Sequence, residues 1–262
     1  MDLNKLFYPQ SVAIVGASTR IGSVGNDVLK NLVQQGYKGS IYPINPKAQD
    51  LYGLKCLPKL SAIASPVDLA VIAIPALAVP TVLEEAGSVG VKAVIVISAG
   101  FKEAGNREGE EKIKEICQRY GMVLVGPNCL GLINPEIKLN ASFAISDPAF
   151  GPVAFVSQSG ALCTAVLDYA ESLGIGFSKF VSVGNKAVLD EAEFFRYLRD
   201  DKKTRIIAMY TEQLSDTKEF MAATNALTKG PDPKPVIALK SGKTSAGASA
   251  SASHRSEEHT SE

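Results

Sequence analysis

The chain has 262 residues, 27 Lys plus Arg against 27 Asp plus Glu, and 46% hydrophobic residues. That length suits two α/β domains of ordinary size, each able to bury its own core. The balanced charge removes any general electrostatic case for nucleic acid or an anionic membrane as partner.

Strand and helix patterns alternate along the chain. Residues 11–16 read as a strand, 23–35 as a helix and 40–44 as a strand. Then come a strand at 68–74, a helix at 79–89, a strand at 92–98, a helix at 107–120 and a strand at 122–125. The strands are continuous Val/Ile/Ala runs, as expected where helices cover both faces of a sheet. The pattern predicts an α/β fold with a doubly wound parallel sheet. Pro135, Pro148, Gly151 and Pro152 interrupt it, so a linker is predicted over 135–152 between domains at 1–134 and 153–254. The second domain reads as strands at 153–156, 177–182, 205–210 and 235–240, with helices at 161–173, 190–199 and 216–228. Residues 255–262 match one reading frame of a common sequencing-library adapter and are expected to be a non-native tail.

Met1 to Gln10 show no basic-then-apolar segment, and no apolar run approaches ~18 residues, so neither a signal peptide nor a membrane span is expected. The four cysteines, Cys56, Cys117, Cys129 and Cys163, are widely spaced. Reduced thiols and a cytoplasmic location are the expectation.

Two strand-to-helix turns look like anion cradles. The first strand ends in Gly16-Ala17-Ser18, with Gly22 and Gly25 following at the start of a helix. Glycines let backbone approach a phosphate, and a helix N-terminus aims N–H groups and a positive dipole at it. Gly16 lies six residues before Gly22, so the dinucleotide fingerprint is imperfect. The second strand ends in Ile44-Asn45-Pro46-Lys47, where a dinucleotide enzyme places a carboxylate. Lys47 suits a phosphorylated ribose, in NADP or in coenzyme A, or is a plain surface lysine. Pro75, Ser98, Ala99 and Gly100 fall at strand ends on the carboxyl edge, where open α/β sheets bind ligands.

The second cradle is Ser157-Gln158-Ser159-Gly160, read equally well as an ordinary serine N-cap. No Gly-x-Ser-x-Gly elbow occurs. Gly242-Lys243-Thr244 is no P-loop, because Ile237 stands where its first glycine is needed. Glu212 follows a strand end, and His254 follows a small-residue segment. A neutral imidazole can carry a phosphoryl group, although a histidine in a polar tail is usually just solvated.

Taken in order, Val-Ala-Ile-Val-Gly-Ala-Ser (12–18), Ile-Asn-Pro-Lys (44–47), Ile-Ser-Ala-Gly-Phe (97–101) and Gly-Pro-Asn-Cys-Leu-Gly (126–131) resemble the α subunit of the NDP-forming acyl-CoA synthetases. So do Phe-Val-Ser-Gln-Ser-Gly (155–160), Ser-Val-Gly-Asn-Lys (182–186), Tyr-Thr-Glu (210–212) and Lys-Ser-Gly-Lys-Thr (240–244). The details look nearer the ADP-forming acetate–CoA ligases than succinyl-CoA synthetase. The resemblance implies a CoA-binding Rossmann domain followed by a flavodoxin-like ligase domain. It implies that coenzyme A runs past Gly16, Ala17, Ser18, Gly22, Gly25, Lys47, Pro75, Ser98, Ala99, Gly100 and Asn128. It implies that His254 is the phosphohistidine, steadied by Glu212, with phosphate held at Ser157 to Gly160. Arg255-Ser256 stand where the family has Thr-Gly. ADP, ATP and Mg are then expected on an ATP-grasp β subunit or a fused C-terminal domain, with a small carboxylic acid and phosphate as further substrates and no metal site in this chain. Two other readings stay open: a noncatalytic CoA-sensing module of a protein-lysine acetyltransferase fusion, and an NADP-dependent oxidoreductase.

Overall fold

A computed structural model describes residues 2–242 of the chain. Its first part runs α1 (Asn4–Phe7), β1 (Ser11–Val15), α2 (Val24–Gln34), β2 (Ser40–Ile44) and a short ladder of β3 (Asp50–Leu51) with β4 (Leu54–Lys55). It continues through β5 (Leu69–Ile72), α3 (Val79–Ser88), β6 (Ala93–Val96), α4 (Arg107–Tyr120) and β7 (Val123–Val125). Five of these strands form a parallel sheet in the order β2-β1-β5-β6-β7. Every residue of β1, β5, β6 and β7 is buried, which is why these strands read as unbroken apolar runs. The chain leaves β1 for β2 on one side and reaches β5 on the other. The carboxyl ends of β1 and β5 therefore flank a topological switch point, the position where such sheets open a crevice.

The second part comprises β8 (Gly131–Asn134), β9 (Leu139–Ser142), β10 (Phe150–Ser157), α5 (Gly160–Leu173), β11 (Phe177–Ser182), α6 (Glu191–Asp200), β12 (Ile206–Thr211), α7 (Thr217–Thr228) and β13 (Val236–Lys240). The sheet order is β13-β12-β10-β11-β8-β9. Here the switch point lies between β10 and β12, so the turn entering α5 and the residue after Thr211 sit side by side.

The stretch at 135–152 is not the connector that its prolines suggested. β8 and β9 form an antiparallel hairpin, and β8 pairs antiparallel with β11, so the second sheet is mixed. Pro135 opens the single 3-10 turn of this hairpin, and Pro152 sits where β10 shifts register against β11. Neither proline removes a central ladder bond, so neither breaks the sheet. Polar side chains inside the hairpin are satisfied locally. Asn140 accepts from the Ser142 hydroxyl at 2.6 Å, and Asn31 of α2 donates to the carbonyls of Ser142 and Ala144 at 2.9 and 2.7 Å. The last two bonds tie β9 to a helix of the first sheet.

One face of the second sheet carries Phe155, Phe177 and Phe180 beneath α5. Phe180 is fully buried, stacked on Phe155 at 4.9 Å and edge-on to Phe177 at 5.1 Å. Phe180→Ala is expected to lower unfolding free energy by about 3–5 kcal/mol, read from the urea midpoint. No helix among the described residues is long and apolar enough to cross a membrane.

Candidate functional site

Both switch points open onto one cleft of about 1310 Å³ between the two sheets. Pro75, Ser98, Ala99 and Asn128 line it from the first sheet. Gln158, Ser159, Gly160 and Glu212 line it from the second. Of the residues named from the sequence, these eight are brought together. Gly16, Ala17, Ser18, Gly22, Gly25, Lys47, Gly100 and Ser157 do not line this cleft, and His254 lies outside the described residues.

The first cradle is built by close backbone approach. A Cβ on Gly16 would fall 2.2 Å from the Ala73 carbonyl oxygen, and one on Gly25 would fall 1.9 Å from that of Gly16. These two glycines let α2 and β5 close on the turn, which is a packing role. Gly22 has φ +77° and open space around it, so it serves the turn's left-handed geometry. Two asparagines hold the turn's carbonyls, a role that no local motif signals. Asn45 donates to the Ala17 carbonyl at 2.7 Å and Asn26 to the Ser18 carbonyl at 2.8 Å. The N–H groups of Ala17, Ser18, Val24 and Gly25 have no acceptor among the described residues, the donor set an anion needs. Lys47 is exposed beside this turn, its backbone N–H on Asn45 Oδ1 at 2.8 Å.

Other first-sheet residues are more committed than expected. The Ser98 hydroxyl accepts from Ile74 N–H at 3.1 Å. Gly100 is self-satisfied: its N–H goes to Glu103 Oε1 at 2.6 Å and its carbonyl accepts from Asn106. Burial alone would raise the Glu103 carboxyl, but hydrogen bonds from Asn185, Gly100 and Phe101 outweigh it and hold the group below the usual range. Asn128 takes φ +56° and donates its N–H to the Ser98 carbonyl at 3.0 Å. Cys129 lines the cleft, yet burial pushes its thiol up to about 12, so it is a protonated wall group and not a nucleophile.

In the second cradle, Ser159 is the N-cap of α5, accepting from Leu162 N–H at 3.2 Å. Ser157 is fully buried, and its hydroxyl accepts from Ser159 N–H and donates to the Ser159 carbonyl, so it braces the turn from inside. The expectation that it offers its hydroxyl to an anion is corrected by this bonding. The N–H groups of Gly160 and Ala161 remain without an acceptor among the described residues, and both residues line the cleft. Gln158 has a role no local motif signals. Its Oε1 accepts from the N–H groups of Glu212 at 3.0 Å and Gln213 at 3.2 Å. Lys240 Nζ donates to the Glu212 carbonyl at 2.6 Å. The Glu212 backbone is thus clamped on both sides, directly beside the free donors of α5.

Two family models match the chain: a CoA binding domain over residues 10–135, and a succinyl-CoA ligase like flavodoxin domain over residues 150–262. Among relatives, the ADP-forming acetate–CoA ligase of Methanocaldococcus jannaschii is 49% identical over 97% of this chain and 35% of its own length. The α subunit of ADP-forming acetate–CoA ligase I from Pyrococcus furiosus is 42% identical over 97% of this chain and 56% of its own. Among solved structures, acetyl-coenzyme A synthetase 1 of Ca. Korarchaeum cryptofilum, in complex with phosphate and ADP, superposes with a TM-score of 0.92 at 42% identity. That match covers 97% of this chain and 55% of the other. The chain therefore spans roughly a third to a little over half the length of the relatives it matches.

Proposed function

The chain belongs to the NDP-forming acyl-CoA synthetase superfamily through its two matched domains, and from that premise we propose that it is the CoA-binding and phosphohistidine part of an ADP-forming acid–CoA ligase. The observation that carries this reading is the single cleft onto which the ends of both sheets open, with Pro75 and Asn128 on one wall and Gly160 and Glu212 on the other.

The reaction interconverts acyl-CoA, ADP and phosphate with acid, CoA and ATP. Phosphate oxygen attacks the acyl thioester carbon, the carbon–sulphur bond breaks, and CoA leaves as the thiol with acyl phosphate formed. The neutral imidazole of His254 then attacks phosphorus and the carboxylate leaves. Phosphohistidine finally transfers its phosphoryl group to ADP. In this scheme Gly160 and Ala161 donate N–H groups to the phosphoryl oxygens, aided by the positive end of the α5 dipole. Glu212 accepts a hydrogen bond from the imidazole and fixes its orientation. The free N–H groups of the first cradle, with Lys47, receive the phosphates of CoA, whose pantetheine passes Pro75, Ser98 and Asn128. Catalysis here is mostly positioning and fixed dipoles.

ADP, ATP and Mg are assigned to an ATP-grasp subunit or fused domain, because the chain covers only part of its relatives. A cytoplasmic location follows from the same reading. A direct test is calorimetric titration of the chain with CoA and with NADPH. CoA binding with no NADPH heat is expected, since a CoA binding domain matches residues 10–135 and the Gly16–Gly22 spacing departs from the dinucleotide fingerprint. NADPH binding without CoA binding would remove the proposal.

A further inference from the structure

The segment between β11 and α6 carries two adjacent side chains that reach in opposite directions. Its backbone is laid along the end of the first sheet: Asn185 N–H donates to the Pro127 carbonyl at 2.9 Å and Ala187 N–H to that of Gly126 at 3.0 Å. The approach is tight, since a Cβ on Gly184 would sit 2.3 Å from the Pro127 oxygen. Asn185 Nδ2 donates both to Glu103, in the turn after β6, and to Glu110 of α4, the latter at 2.8 Å. Lys186 takes the left-handed φ of +61°, a strained value for a lysine. That twist turns it back to the second sheet, where Nζ donates to Glu191 Oε1 at 2.9 Å and to the Gln213 carbonyl. The Lys186 and Glu191 side chains are 5% and 2% exposed. Glu191 also accepts from the Thr211 hydroxyl at 2.8 Å. Both residues before and after Glu212 are thus fastened to this pair.

We propose that Asn185 and Lys186 are paired positioning residues that lock the wall around Glu103 to the loop carrying Glu212, holding the two halves of the cleft in register. The inference rests on the proposed function for its kinetic consequence but not for its structural one. A strained backbone persists where surrounding contacts over-determine it, and four hydrogen bonds from this dipeptide's side chains do so here. Lys186 lines the cleft, but its Nζ is committed to Glu191 and the Gln213 carbonyl, through which it acts.

The test compares Lys186→Met, Lys186→Arg and Thr211→Val with the parent chain, using labelled acetyl phosphate and amide hydrogen exchange. Lys186→Met is expected to slow labelling of His254 by about 10²-fold, the size expected of a misplacement near 1 Å. Its CoA affinity should stay within about threefold, Lys186→Arg should recover part of the rate, and exchange at Glu212 and Gln213 should quicken. Removing one member of a buried pair can unfold a protein. Thr211→Val leaves that pair intact and should still quicken exchange at Glu212. Parent-like labelling and exchange in Lys186→Met would overturn the inference, as would parent-like exchange in Thr211→Val if Lys186→Met fails to fold. Should the parent itself take no label, the proposed function fails, while the exchange comparison still decides the brace.

Discussion

Ser159→Asp should abolish phosphorylation of His254 while leaving the fold and CoA binding intact. Aspartate caps a helix as well as serine does, so the bond to Leu162 N–H is kept and stability should move by less than about 0.5 kcal/mol. What changes is charge. The carboxylate would sit in the turn beside the free N–H groups of Gly160 and Ala161, where a phosphoryl group of nearly two negative charges is to be held. Two unit charges 4 Å apart repel by about 4 kcal/mol at an effective dielectric of 20. One factor of ten in rate is about 1.4 kcal/mol, so a loss of at least about 10³-fold is expected. Acid-labile label per mole of chain measures it, with a CoA titration as the control. Parent-level labelling would remove the phosphate role from this turn.

Gly25→Ala should loosen the first cradle and weaken CoA binding. Alanine in a helix is favoured over glycine by about 1 kcal/mol, and Gly25 lies in the first turn of α2. The opposing effect is larger. The new Cβ would fall 1.9 Å from the Gly16 carbonyl oxygen and 3.3 Å from the Ala17 nitrogen. Both are backbone atoms, so relief requires moving the helix away from β1. Overpacking of this kind costs about 1–3 kcal/mol or more. After the helix gain is subtracted, a net loss near 2 kcal/mol would lower Tm by about 4–8 °C. CoA binding should fall with it, because the free N–H groups of Ala17, Ser18, Val24 and Gly25 converge only when α2 is docked. Unchanged Tm and CoA affinity would contradict this account of the cradle.

What could be read from sequence and what could not divides along the range of the interactions. Strands such as Leu69–Ile72 and Ala93–Val96 declare themselves as apolar runs, and glycines at Gly121 and Gly174 close α4 and α5 in left-handed caps. The β8–β9 hairpin was hidden because its turn proline and its buried Asn140 and Ser142 look like linker residues. Only the closed hydrogen-bond network makes them core. Both strand-to-helix turns are legible from glycine and serine patterns at strand ends. Their braces are not: Gln158 meets Glu212 across 54 positions, and Asn185 meets Glu110 across 75. Ser157 shows the converse, since its residue type suits an anion but its hydroxyl closes the turn on Ser159.

If the cleft passes a phosphoryl group from an acyl phosphate to His254, as proposed, that histidine should carry the group after exposure to acyl phosphate alone. Incubating the purified chain with phosphorus-labelled acetyl phosphate and mapping the product by mass spectrometry tests it most directly. Acid-labile label is expected on His254, lost in His254→Asn and in Ser159→Asp. Folded, CoA-binding chain that takes no label on His254 would contradict it.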